Sequence, residues 1–398
     1  FESHGIETGD RVGLSMADHS VHLLAHFAVA YLGAVIVPID HRWSDSEKLR
    51  AAKAFRVGAV ATDGAAIDGN VTTVVLDGSQ DLMPSLKEPA PGDHMDLLIS
   101  LSSGTTGRPK GALVTHENLY ERFVSQWVAI GYDSRDCFAL VTPLFFGAGR
   151  SFGMSMLTAC GTAKLAPPPL KPAELLAALQ SPAVTATFLP PTMLRRLLPL
   201  YNGALLLPNL EFLIVSGEPL FSNEAAECLE KVSPNIVSYY ASSEGGGISV
   251  LNSRQIRDRP DTVGVPTFRT EVDIVDDGGC ALPQGEVGRL RYRGPGVATR
   301  FVDEEGCEHD AADQGWFYPG DLAERIPGGL IALRGRDKDV IIRGGVNIYP
   351  TEIEQVLLTL PAFRDTAVIG VDDAERGQAV IAVVVGKKVP AADILADF

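Results

Sequence analysis

The sequence lacks most of what would tie it to a membrane, to nucleic acid or to an oxidising compartment. No apolar run reaches the roughly 18 residues that cross a bilayer. The nearest, residues 21–37, is interrupted by His22 and His26 and followed by Pro38. Only five cysteines occur, Cys137, Cys160, Cys228, Cys280 and Cys307, with wide spacings and no CxxC pair. Neither a zinc site nor a disulfide framework follows, and isolated thiols fit a reducing, cytoplasmic compartment. Basic charge is scarce: 34 Lys and Arg face 50 Asp and Glu, a formal net charge of −16. Such a surface repels nucleic acid and anionic lipid, so an anionic substrate must be drawn in by local positive groups. There is no internal repeat and no low-complexity tract; Pro167, Pro168 and Pro169 form a local stiff connector. The chain opens on Phe1 inside foldable sequence, so a native N-terminus is expected upstream and a targeting leader is left unread.

What is present is a globular chain of 398 residues, 45% hydrophobic and 21% charged, long enough for two or more domains. Strand-like runs alternate with helical patterns over the first two thirds. Residues 11–16 read as a strand, and Val21, Leu24, Ala25, Ala28 and Leu32 then recur at helical spacing. Residues 35–39, 184–189 and 210–215 are further strands, each followed by a helical stretch. Alternation of this kind predicts βαβ units, with helices covering two mainly parallel sheets. After about residue 260, short runs at 271–275, 287–293 and 330–333 between Gly- and Pro-rich turns predict a small β-rich subdomain, antiparallel or barrel-like. Residues 340–385 then read as a small α+β unit. We expect a large N-terminal domain over residues 1–335, with a hinge and partial C-terminal domain over 336–398.

Residues 100–111 read SLSSGTTGRPKG. The common phosphate loop, GxxxxGK[ST], does not fit: Gly104 and Gly107 are three apart and Gly111 follows Lys110. The physics is still that of a phosphate cradle. A strand-like run leads into Ser102, Ser103, Gly104, Thr105, Thr106 and Gly107. Glycines let backbone N–H groups turn toward an oligophosphate, the hydroxyls add donors, and Lys110 supplies a mobile point charge. Three further stretches accompany it: YYASSEGG at 239–246, WFYPGD at 316–321, and GRDKD at 335–339 followed by RGGVNIYPTEIE at 343–354.

Together these stretches resemble the adenylate-forming superfamily of acyl- and aryl-CoA synthetases, luciferases and peptide-synthetase adenylation domains. The opening loop matches the family's [ST]SGTTGxPKG signature, and the last stretch matches GRxKDxIxxxGxNIxPxEIE. The resemblance covers essentially the whole chain. It implies that an organic acid is activated with ATP and Mg²⁺ to an acyl-adenylate, releasing pyrophosphate, before a thiol displaces AMP. Coenzyme A is the implied acceptor, with the phosphopantetheine of an acyl carrier protein as the alternative. The loop from Ser102 to Lys110 would hold the β- and γ-phosphates. Ser243 would contact the α-phosphate, and Glu244 would hold Mg²⁺ through carboxylate oxygen. Ser216, Gly217, Glu218 and Pro219 match the adenine loop, Tyr240 would stack on the purine, and Asp321 and Arg336 would reach the ribose. Lys338 falls at the hinge. Gly344 and Gly345 would let a pantetheine arm pass, and Asn347 belongs to the same segment as a catalytic candidate. The acyl pocket is expected among Phe146, Leu189, Val215 and Tyr240, with Gly245, Gly246 and Gly247 leaving room for a ring or chain.

Two departures stand out. Phe146 occupies the histidine position of the family's PLFHxxG segment, and no acidic residue lies within 143–153 to hold an α-ammonium. An amino acid substrate is thereby disfavoured, leaving an aryl or medium-chain acid in mostly apolar walls. The family's closing PxxxxGK segment has no counterpart before Phe398, which implies weak adenylation by this stretch of chain, with nucleotide binding kept.

Overall fold

The computed structural model describes residues 1–76, 92–103, 109–303, 305–360, 362–373 and 376–387. Gly104, Thr105, Thr106 and Gly107 lie outside them, and of Ser102, Ser103 and Lys110 only the backbone is described. The first six strands are β1 (Arg11–Ser15), β2 (Val35–Pro38), β3 (Ala59–Thr62), β4 (Thr72–Val75), β5 (Asp96–Ser103) and β6 (Pro109–Thr115). Next come β7 (Cys137–Leu140), β8 (Thr162–Leu165), β9 (Ala186–Leu189), β10 (Phe212–Val215), β11 (Ile236–Ser242), β12 (Gly246–Leu251) and β13 (Val265–Pro266). Then follow β14 (Glu271–Val275), β15 (Val287–Arg293), β16 (Arg300–Val302), β17 (Glu308–Asp310), β18 (Asp321–Arg325) and β19 (Ile331–Arg336). The chain continues with β20 (Ile341–Arg343), β21 (Val346–Ile348), β22 (Phe363–Asp373) and β23 (Gly377–Gly386).

Two helix-covered sheets form the body. The first runs β17-β16-β6-β5-β2-β1-β3-β4, and its β1–β5 portion is parallel. The second runs β13-β12-β11-β10-β9-β7-β8 and turns antiparallel only at β11–β12–β13. Strands such as β2, β3, β7 and β9 are buried along their whole length, as expected where both faces of a parallel sheet are covered. A four-stranded antiparallel sheet, β14-β15-β18-β19, follows, and another, β21-β20-β23-β22, carries the C-terminal helix Pro350–Leu357. The α/β class and the order of its parts are those expected.

Four helices matter for the site: α1 (His19–Tyr31), α2 (Asp45–Ala54), α3 (His116–Ile130) and α4 (Gly147–Thr158). Local chemistry starts each of the first three. The Asp18 carboxylate accepts from the N–H groups of Ser20 and Val21, while Ser44 with Glu47 and Thr115 with Asn118 form reciprocal capping boxes. The buried face of α1 differs from the expected one. Leu24 is 50% exposed and Ala28 is exposed too, while His19, His22 and His26 are buried beside Leu23, Ala25 and Val29. A neutral imidazole has an apolar body, so hydrophobicity alone misassigned the helix face.

Candidate active site

A cleft of about 1940 Å³ opens where the ends of the two large sheets, the β14–β19 sheet and the C-terminal unit meet. The β5–β6 hairpin enters it through Leu101, Gly111 and Ala112. Its strands pair Ser102 with Lys110 and Ser103 with Pro109. Val215 at the end of β10 leads into Ser216, Gly217, Glu218 and Pro219, all on the cleft wall. Gly217 there has φ 95°, a left-handed conformation that favours glycine. Ser243 and Glu244, in the turn after β11, are half-buried in the wall. The Glu244 carboxylate has no hydrogen-bond or ion-pair partner among the described residues, and it can serve as a hard oxygen ligand.

Asp321, Arg336 and Tyr240 form a cluster on the same wall. Antiparallel pairing of β18 with β19 sets Asp321 opposite Arg336. Arg336 Nε lies 3.1 Å from Asp321 Oδ1, and its Nη1 donates to the Pro319 carbonyl at 2.6 Å. The Tyr240 hydroxyl donates to Asp321 Oδ2. Burial raises the Asp321 carboxyl above the usual range, opposed by the Tyr240 hydrogen bond and the Arg336 charge. Burial also pushes the Tyr240 phenol well above 10, so it stays a donor.

Not every expected residue lines this cleft. Phe146 does: it caps α4, is 55% exposed, and its ring lies 4.8 Å from that of Phe145. Leu189 does not; it is fully buried in the core beneath the second sheet. Gly245, Gly246 and Gly247 open no space for a ligand either. A Cβ on Gly245 would lie 2.3 Å from the Tyr292 hydroxyl, one on Gly246 2.9 Å from Arg122 Cδ, and one on Gly247 2.0 Å from the Tyr239 hydroxyl. The protein's own side chains fill those places. Lys338 lines the cleft, whereas Gly344, Gly345 and Asn347 lie on the exposed β20–β21 hairpin away from it.

Two buried arginines escaped the sequence reading. Arg122 on α3 donates to the carbonyls of Gly296, Ser243 and Glu244. Arg150 on α4 donates to those of Leu144 and Phe145. Burial lowers each guanidinium to about 10, still charged at neutral pH. The only available signal was their spacing on a buried helix face, which a charged residue contradicts by default.

A cleft of this size on an α/β body, walled by hydroxyls, carboxylates and an arginine, is that of an enzyme for a polar ligand, and comparison with known proteins makes the class specific. The model for the AMP-binding enzyme family matches residues 1–302, and that for the AMP-binding enzyme C-terminal domain matches 352–397. The chain belongs to the AMP-binding enzyme family. A feruloyl-CoA synthase from Amycolatopsis sp is 31% identical over 98% of this chain and 82% of its own length. A 2-succinylbenzoate–CoA ligase from Bacillus cereus is 29% identical over 96% and 79%. The o-succinylbenzoate-CoA synthetase of Bacillus subtilis, solved with its acyl-adenylate intermediate, superposes with a TM-score of 0.88 at 26% identity, covering 100% of this chain and 82% of that one. The ATP-bound MatB of Rhodopseudomonas palustris shares the fold, with a TM-score of 0.86 at 24% identity, covering 100% of this chain and 83% of that one.

Proposed function

We propose that the protein activates an aromatic carboxylic acid with ATP and joins it to coenzyme A. Its reaction class is that of an AMP-forming acid–thiol ligase. The carboxylate oxygen attacks the α-phosphorus of ATP and pyrophosphate leaves; the thiol sulfur then attacks the acyl carbon and AMP leaves. The observation that carries the reading is the Asp321–Arg336–Tyr240 cluster on the wall shared with Ser243 and Glu244. A half-buried carboxylate with a cation behind it suits the two hydroxyls of a ribose. The Ser243 hydroxyl would donate to the α-phosphate. Glu244, whose carboxylate has no partner among the described residues, fits Mg²⁺, which when bound would offset negative charge on the phosphates. The hairpin loop from Ser102 to Lys110 would hold the departing pyrophosphate, and the wall at Ser216–Pro219 with the Tyr240 ring would take the adenine.

The aromatic choice rests on the paired rings of Phe145 and Phe146 in the cleft and on the acids named for the relatives. Phe146 and Val215 are the acyl-pocket residues kept, and Lys338 is the hinge between a body of residues 1–335 and the C-terminal unit. Gly344, Gly345 and Asn347 would reach the cleft only after that unit turns. Coenzyme A rather than a carrier protein is the acceptor proposed, and five unpaired thiols support a cytoplasmic location. No helix among the described residues is long and apolar enough to cross a membrane. The test incubates the protein with ATP, Mg²⁺, coenzyme A and a mixture of aromatic, medium-chain and amino acids, followed by mass analysis of the thioesters. An aryl-CoA product with acid-dependent pyrophosphate release supports the reading. A product only with holo carrier protein moves the acceptor, and no acid-dependent pyrophosphate with any acid overturns the function.

A further inference from the structure

Arg122 is 7% exposed and forms an ion pair with no carboxylate among the described residues. A buried charge with no counter-ion is costly, and it persists only where its hydrogen bonds are well satisfied. Here the guanidinium donates through Nε to Gly296 O at 2.8 Å, through Nη1 to Ser243 O at 3.4 Å, and through Nη2 to Glu244 O at 2.5 Å. The last two carbonyls belong to the residues that present a hydroxyl and a carboxylate to the cleft.

The surroundings are shaped for this side chain. Gly246, with φ 71°, would place a Cβ 2.9 Å from Arg122 Cγ and Cδ, and Gly296 would place one 3.0 Å from Cγ. Two glycines on separate segments thus form a slot that only their missing Cβ atoms keep open. The Ala298 N–H also donates to the Glu244 carbonyl at 2.9 Å, so that oxygen is held from two sides. On the other side of the turn, Gly245 N donates to Ser242 Oγ at 3.0 Å, and Ser242 Oγ meets the Tyr292 hydroxyl at 2.5 Å. The turn is fixed by its backbone from behind, and both side chains line the cleft with no partner among the described residues.

We propose that Arg122 is a positioning residue: its guanidinium clamps the backbone of Ser243 and Glu244 so that the Ser243 hydroxyl and the Glu244 carboxylate face the phosphates and their metal. This rests on the reading of those two residues given above. The clamp acts through geometry, because the three nitrogens of the planar fork each reach a different carbonyl, a span that the single nitrogen of a lysine lacks. Its positive charge also lies just behind the wall where negative charge gathers during attack on the α-phosphate.

The test compares wild type with R122K, R122Q, G296A and E244Q. ATP affinity is titrated calorimetrically as a function of Mg²⁺, acyl-adenylate formation is followed in single turnover, and thermal unfolding is recorded for every protein. R122K, R122Q and G296A are expected to bind metal-free ATP within about threefold of wild type. They should lose about tenfold in the strengthening of ATP binding by Mg²⁺ and about a hundredfold in adenylate rate, the scale of a small misplacement of catalytic groups. G296A keeps the charge and crowds the stem, so it tests the clamp even if R122Q does not fold. Mg²⁺ dependence and rate at wild-type levels in folded R122K or R122Q, with E244Q impaired, would overturn the clamp and leave the reading of Glu244 intact. Wild-type Mg²⁺ dependence in E244Q would overturn the reading on which the clamp rests.

Discussion

Asp321 is the residue on which the proposed nucleotide site turns, because three elements converge on one carboxylate. β18 supplies it, β19 sets Arg336 opposite, and β11 brings the Tyr240 hydroxyl to its other oxygen. Replacing it with asparagine keeps the shape, removes the charge and turns one acceptor into a donor. Asp321→Asn is expected to weaken ATP binding by about 10- to 100-fold, the range for losing a charge-assisted hydrogen bond, with a smaller effect on pyrophosphate binding. Equal weakening of ATP and pyrophosphate in calorimetry would place Asp321 outside the ribose contact. This cluster was readable at the level of single residues, because Asp321, Arg336, Ser243 and Glu244 sit in motifs whose letters identify them and the structure gathers them along one cleft. The three glycines at 245–247 were misread for a physical reason: a missing Cβ reveals that space is needed but not what fills it. Tyr292, Arg122 and Tyr239 are 47, 124 and 8 residues away from the glycines they fill, and no local pattern links them. Gly247→Ala sets a Cβ 2.0 Å from the Tyr239 hydroxyl. It is expected to cost about 1–3 kcal/mol in denaturant unfolding, as overpacking does; an unchanged midpoint would show that the tyrosine can swing away.

At the scale of the element, α1 carries the plainest divergence between pattern and packing. Its buried stripe contains His19, His22 and His26, and among the described residues both ring nitrogens of His22 and of His26 have no hydrogen-bond partner. Burial lowers His22 from its usual 6.5 to about 3, helped by the charges of Arg150, His19 and His41. Burial likewise takes His26 well below 6.5, with Arg150, His22 and His116 adding to the effect. The sign is fixed by which state binds more protons. Between pH 6.5 and about 3 the unfolded chain holds a proton on His22 that the folded chain refuses, so stability falls as pH drops through that window. Each such group contributes a slope of up to about 1.4 kcal/mol per pH unit. His22→Leu is therefore expected to flatten the acid limb of the stability profile by up to that amount while leaving the neutral plateau within about 1.5 kcal/mol of wild type. Urea unfolding at several pH values reads this directly; parallel limbs for the two proteins would show that His22 is protonated in the fold.

For the whole molecule, the issue is how one cleft serves two successive steps. The C-terminal unit presents Lys338, Thr351, Glu354 and Ile369 to the cleft, while Gly344, Gly345 and Asn347 face away on the β20–β21 hairpin. Among the polar ties between this unit and the body, Asn223 Nδ2 donates to the Leu358 carbonyl at 3.0 Å and Arg334 Nη1 lies 3.6 Å from Glu352 Oε1. Such ties are weak enough to exchange, since exposed pairs contribute only about 0–1 kcal/mol each. Turning the unit about Lys338 would replace one face by the other without unfolding either part. Proline at the hinge fixes the φ of the second residue in the 3-10 turn Asp337–Asp339, so Lys338→Pro should hold a single arrangement. Adenylate formation is then expected to stay within about threefold of wild type, while thioester formation from preformed acyl-adenylate slows about a hundredfold, because the second face never reaches the cleft. The two rates are measured separately, by pyrophosphate exchange and by coenzyme A ester formation in single turnover. If both fall together the substitution has damaged the site itself, and if neither falls the chain does not turn at this residue.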